Sequence, residues 1–149
     1  MRVLAIDYGT AKVGLAISDD LGMFASPYKV IASTERLAQD IAEIVRKEGV
    51  DRVVLGMPYP VEKDPSPTLG KVRIFQKKLA KVISCPIIEW DEAFSSRRAV
   101  SQMISNGVRK KRREQRGTTD LWAASIILQE YLDSVSGGES RGSTLGWGE

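Results

Sequence analysis

Four acidic residues carry most of the chemistry open to this 149-residue chain: Asp7, the adjacent Asp91 and Glu92, and Asp120. Asp7 interrupts the apolar run LAIDYGTAKVGLAIS at 4–18, where Gly9 and Gly14 follow the acid. A carboxylate set in a buried strand is costly unless a partner or a cation balances it. Histidine is absent and cysteine occurs once, so acid, base or metal chemistry must rest on carboxylates. Oxygen ligands of this kind suit Mg2+ or Mn2+, which bind through a few carboxylates together with substrate phosphate. Such ions can activate water and stabilise the departing 3′-oxygen of a phosphodiester. Asp7, one member of the Asp91-Glu92 pair and Asp120 are therefore the candidate catalytic residues, provided their elements converge, and all four acids are candidate metal ligands. Adjacent strand residues face opposite ways, so one of Asp91 and Glu92 is expected to enter such a site. Asp120 would equally suit the first turn of a helix, where an acid offsets exposed N–H groups.

The basic residues are concentrated. RKKRREQR at 109–116 holds Arg109, Lys110, Lys111, Arg112, Arg113 and Arg116 against one acid, a local charge of +5 in a chain whose net charge is +3. The remainder carries −2, and a polyanion is the natural partner of such a segment. Standing just before Asp120, these cations could hold phosphates near the acids without reading bases. Tyr59, Trp90 and Phe94 are available to stack on a base, although Trp90 is first expected in the core.

The elements that would position these residues follow from periodicity. The runs RVLAIDY at 2–8 and VGLAIS at 13–18 read as a hairpin whose first strand is apolar enough to be covered on both faces. A third strand is expected within 23–30, interrupted by Pro27. Ser33 or Thr34 could cap a helix bearing Leu37, Ile41, Ile44 and Val45, which Gly49 would stop. The buried strand DRVVLGMP at 51–58 comes next, and helix followed by strand argues for an α/β fold. Residues 58–70 hold four of the six prolines and read as a loop beyond a core strand, where open α/β sheets present ligands. A second helix is marked by Val72, Phe75, Leu79 and Val82, a further strand by PIIEWD at 86–91, and a third helix by Ala99, Val100, Met103 and Ile104. The last helix is expected from Thr118 or Thr119. Residues 1–133 form one domain in this reading, and 134–149 a flexible Gly/Ser-rich tail. Cys85 reads as a small core residue. No leader or membrane segment is visible, which points to a cytoplasmic protein.

Taken together, IDYGTAKVGLAISD at 6–19, VVLGMP at 53–58, VRIFQKKL at 72–79, DEAFSS at 91–96 and TTDLWAASIILQEYL at 118–132 resemble the YqgF/RuvX family of RNase H-like nucleases. The resemblance implies an RNase H-like fold, a mixed central sheet flanked by helices, with a metal site matching Asp7, Asp91-Glu92 and Asp120, in which Glu92 is the preferred member of the pair and Asp7, Glu92 and Asp120 are the catalytic residues. It also implies substrate-facing roles for Lys12 and Arg73. This chain departs from the family pattern at Ala11-Lys12, at Ala93 and at DPSP 64–67, all positions concerned with substrate rather than metal. The implied activity is divalent-metal-dependent endonuclease cleavage of structured nucleic acid, foremost at the 5′ end of precursor 16S rRNA. Resolution of four-way DNA junctions and a non-catalytic role as an rRNA or transcription accessory factor are the alternatives. The partners implied are precursor rRNA or branched DNA, with no membrane, and the protein would be a monomer or homodimer. The turn DYGT at 7–10 also resembles the phosphate loop of sugar-kinase, actin and Hsp70 ATPases, but those close two domains around a nucleotide and this chain has length for one.

Overall fold

A strand covered on both faces must be apolar along its length, and β1 (Val3–Asp7, VLAID) meets that condition up to its last residue. A computed structural model describes residues 1–58, 67–91 and 118–145, excepting the side chains of 67, 118–121 and 137–145. Beside β1 it contains β2 (Lys12–Ser18), β3 (Ala25–Ala32), β4 (Arg52–Met57) and β5 (Ile87–Asp91), with helices α1 (Leu37–Glu48), α2 (Pro67–Val82) and α3 (Thr118–Leu145). The five strands form one sheet in the order β3-β2-β1-β4-β5. The β1–β2 and β2–β3 pairs are antiparallel, whereas β1–β4 and β4–β5 are parallel. This is the mixed α/β sheet flanked by helices that the sequence leads one to expect.

Strand alternation divides the core into two layers. Leu4 and Ile6 of β1 join Leu15, Leu55 and Met57 against Leu37 and Ile41 of α1 and Phe75 and Leu79 of α2. Val3 and Ala5 point the other way and join Ala16 and Val54 against Ala124, Ile127, Leu128 and Tyr131 of α3. Val3, Leu4, Ala5 and Ile6 are fully buried, so β1 is sealed by both layers. Among the described residues no helix is long and apolar enough to cross a membrane.

Several boundaries differ from the sequence expectation for local reasons. Helix α1 begins only at Leu37, with no side-chain cap at Arg36; Thr34 Oγ1 instead accepts the Arg36 N–H at 3.2 Å in the preceding turn. Its end is as expected, with Gly49 in the left-handed region at φ 66° and its N–H bonded to Val45 O. Helix α2 starts at Pro67, inside the stretch expected to be loop, because a proline at the first helical position has no N–H to leave unpaired and a φ already suited to the helix. Strand β3 runs through Pro27 rather than breaking there. It lies at the sheet edge and takes a register shift, in which Leu15 pairs with Lys29 and Ala16 with Pro27. The backbone of α3 continues past Ser134 to Leu145, through residues for which a loose tail is expected. The helix expected near 99–104 lies outside the described residues.

Two contacts generate tests of this architecture. A Cβ placed on Gly9 would stand 2.2 Å from the Lys12 carbonyl oxygen across the β1–β2 turn. Gly9→Ala should therefore destabilise the fold by about 1–3 kcal/mol, read from urea unfolding; an unchanged midpoint would show that the turn opens freely. Tyr28 Oη of β3 donates to Glu48 Oε2 at 2.9 Å at the end of α1. Burial first, then the bond to Glu48 and its charge, raise the Tyr28 pKa above the usual tyrosine value. The unfolded chain thus ionises this phenol first, and its contribution is complete below about pH 10 and lost as pH rises through the folded value. Tyr28→Phe should flatten the alkaline loss of stability measured between about pH 9 and pH 11.

Candidate active site

Asp7 closes β1 and is 8% exposed. It has the parity of Val3 and Ala5 and so belongs to the α3 side of the sheet. Its register partner on β2 is Gly14. On β4, Gly56 follows Leu55, the partner of Ile6, and Gly56 pairs in turn with Trp90 of β5. One row across the sheet therefore reads Gly14, Asp7, Gly56, Trp90, and the strands on either side of the acid contribute backbone alone at that level. Lys12 shares the parity of Gly14 at the same end of the sheet, which puts it on the Asp7 side.

Asp91 stands on the other side. On β5, Ile87 packs into the α1/α2 layer, and Glu89 accepts a hydrogen bond from Gln76 Nε2 at 2.9 Å and faces Arg73 Nη1 at 3.4 Å. Asp91 continues that parity, toward α2 and away from Asp7. Arg73 is thus paired with Glu89 on the face opposite Asp7. Ile88 and Trp90 take the alternate positions in the α3 layer. Trp90 packs edge-on to Tyr131 with centroids 5.8 Å apart, and its indole N–H donates to Glu130 Oε1 at 3.3 Å. It is a packing residue, as expected first.

Helix α3 is tied to the end of the sheet where β1 begins. Gln129 accepts the Ala25 N–H at 2.9 Å and donates to Met23 O at 3.2 Å. Arg52, the register partner of Val3, donates to Tyr131 Oη at 2.7 Å. From Gln129 back to Asp120 the helix spans about 13 Å, the same length as β1 from Val3 to Asp7. Only the backbone of Asp120 is described, in the first turn of α3. Glu92 and the run holding Arg109, Lys110, Lys111, Arg112, Arg113 and Arg116 lie outside the described residues, as do Tyr59, Ala93, Phe94 and the 64–66 part of the DPSP stretch. Among the described residues no three metal-ligating side chains group together.

Cys85 packs half-buried against the α1/α2 layer, and burial is the first cause that raises its thiol pKa. A thiol so placed stays protonated and unreactive, in line with its reading as a core residue. The residue that sequence reasoning passed over is Gly56. It reads as the end of a strand until the register sets it beside Asp7.

Comparison with known proteins follows the same lines. The sequence profile of the RuvX family, described as Holliday junction resolvase, matches residues 1–134. A protein of Syntrophus aciditrophicus named "Putative pre-16S rRNA nuclease" is 34% identical over 138 residues, covering 91% of this chain and 91% of its own length. One of the same name from Maridesulfovibrio salexigens is 38% identical over 134 residues, covering 89% of this chain and 98% of that protein. Among solved structures, T. thermophilus RuvC in complex with a Holliday junction substrate superposes with a TM-score of 0.60 at 16% identity, over 92% of this chain and 96% of that one. The fowlpox virus Holliday junction resolvase gives 0.52 at 17% identity, over 90% and 99%. At these identities the two structures speak for the fold alone, and the sequence matches carry the family assignment. The chain belongs to the RuvX family of RNase H-like nucleases.

Proposed function

We propose that this chain is a divalent-metal-dependent endonuclease that hydrolyses phosphodiester bonds in structured RNA, with the 5′ end of precursor 16S rRNA as its substrate. The observation that carries the reading is Asp7, a carboxylate 8% exposed at the end of a sealed strand with glycine on each flank. Such a group suits a hard cation, and the flanking glycines suit close approach of a phosphate. Asp7, Glu92 and Asp120 would hold Mg2+ or Mn2+. When bound, the ion would neutralise charge on the scissile phosphate and assist ionisation of water. The parity of β5, which turns Asp91 toward α2, supports Glu92 as the member of the pair that serves with Asp7. The matched lengths of β1 and of α3 between Gln129 and Asp120 support Asp120 as the third acid. Lys12, on the Asp7 side, would meet a phosphate next to the scissile one. The Arg and Lys residues of 109–116 would grip the backbone further along. We take residues 1–133 as the nuclease unit and the cytoplasm as its compartment.

The names of the sequence relatives favour precursor rRNA. The description of the family itself favours a four-way DNA junction, cut by the same acids, as a second reading. Single-turnover assays with Mn2+ on a precursor 16S fragment and on a four-way junction, run in parallel, separate the two. Asp7→Asn, Glu92→Gln and Asp120→Asn should each slow cleavage at least about 100-fold with folding retained by circular dichroism. Asp91→Asn should stay within about tenfold of the parent. Cleavage by Asp7→Asn at the parental rate sinks the metal site, and faster cutting of the junction than of the RNA moves the assignment to DNA. Binding that survives while neither polymer is cut would leave only an accessory role.

A further inference from the structure

The run at 109–116 is not the only concentrated positive charge in this chain. Helix α2 holds Lys71, Arg73, Lys77, Lys78 and Lys81 and no acid in its sixteen residues. Its charge of +5 equals that of 109–116, and with both set aside the rest of the chain carries −7. Val72, Phe75 and Leu79 turn the apolar side of α2 into the core, which leaves all five cations exposed. At 100° per residue they fall within an arc of about 160°, and from Lys71 to Lys81 they extend about 15 Å along the axis. Arg73 is neutralised by Glu89. The four lysines make no ion pair within the described structure.

This row of charge starts at the same end of the sheet as the candidate active site, on the opposite face. Tyr8, the residue after Asp7, packs its ring 5.4 Å from that of Phe75. Tyr8 and Phe75 line a shallow groove whose α2 wall carries Lys71, Ile74 and Lys78 and whose α1 side carries Glu35. A strand leaving the Asp7 end of the sheet along α2 would meet Lys71 first, then Lys77 and Lys78, and Lys81 last. Fifteen ångströms corresponds to about four phosphates of one strand at the axial spacing of a duplex. Unpaired lysines on one arc are point charges suited to phosphates at any sequence.

We propose that the lysine face of α2 is a second phosphate-anchoring track. It holds the segment of nucleic acid flanking the scissile bond against the α2 side of the sheet, beyond the reach of the acidic site itself. The inference rests on the nuclease reading for its ligand class but is tested by binding alone. Full-length parent and a Lys71→Gln/Lys77→Gln/Lys78→Gln/Lys81→Gln variant are compared by fluorescence anisotropy. The probe is a labelled precursor 16S rRNA fragment in EDTA, over a salt series from about 50 to 200 mM. The variant should lose about 2–3 from the slope of log K against log salt and bind at least about tenfold more weakly at 0.15 M salt. Arginine at the same four positions should restore the slope. A parental slope in the glutamine variant overturns the proposal, as does a parent that binds no RNA. Lost adhesion to anionic-lipid vesicles with an unchanged RNA slope overturns it in favour of a membrane surface. A parent that binds with this slope but cuts nothing defeats the nuclease reading and leaves the track standing.

Discussion

A strand sealed from water on both sides can carry a carboxylate only where the seal ends, and that constraint organises this molecule. β1 commits Leu4 and Ile6 to one layer and Val3 and Ala5 to the other, so its neighbours must be strands on both edges and helices on both faces. Asp7 is the first polar residue the strand can afford. Its burial on the α3 side, between Gly14 and Gly56, sets the face of the sheet on which the candidate site lies. Every other assignment, from the parity of Asp91 to the position of Lys12, is read relative to that face.

Much of this was legible in the sequence because the signals were local. The apolar run of β1, the hairpin that follows it, the Gly49 stop and the strand at 52–57 all rest on periodicity and turn chemistry. Boundaries were harder where one residue type serves two ends. Pro67 reads as loop among its neighbouring prolines but is equally at home opening a helix, and Pro27 reads as a break until the strand is known to lie at an edge. The site was legible as residue types and not as geometry. Adjacent positions such as Asp91 and Glu92 differ only in parity, and parity against Asp7 needs the register of three strands. Gly56 is informative for the same reason, since its meaning lies across the sheet from its place in the chain. The weight of charge on α2 is present in the sequence, but only the bounds of the helix and the burial of Val72, Phe75 and Leu79 show that its five cations share one exposed face.

Charge in this chain is sorted rather than balanced. Two segments of +5 stand on a remainder of −7, so the low net charge conceals strong local fields. An arrangement of that kind orients a polyanion as it approaches, because attraction at the cationic segments is accompanied by repulsion elsewhere.

The outer strand β3 has one more consequence. Pro27 offers no N–H to a neighbouring strand, and the register shift beside it leaves Tyr28 out of step with β2. Exposed sheet edges are the usual template for runaway strand pairing between molecules. Here the edge is interrupted at its middle, so a second chain cannot extend the sheet past this point. On the β3 side, strand pairing between molecules is thereby discouraged, and growth of the sheet from this edge is opposed by its own backbone.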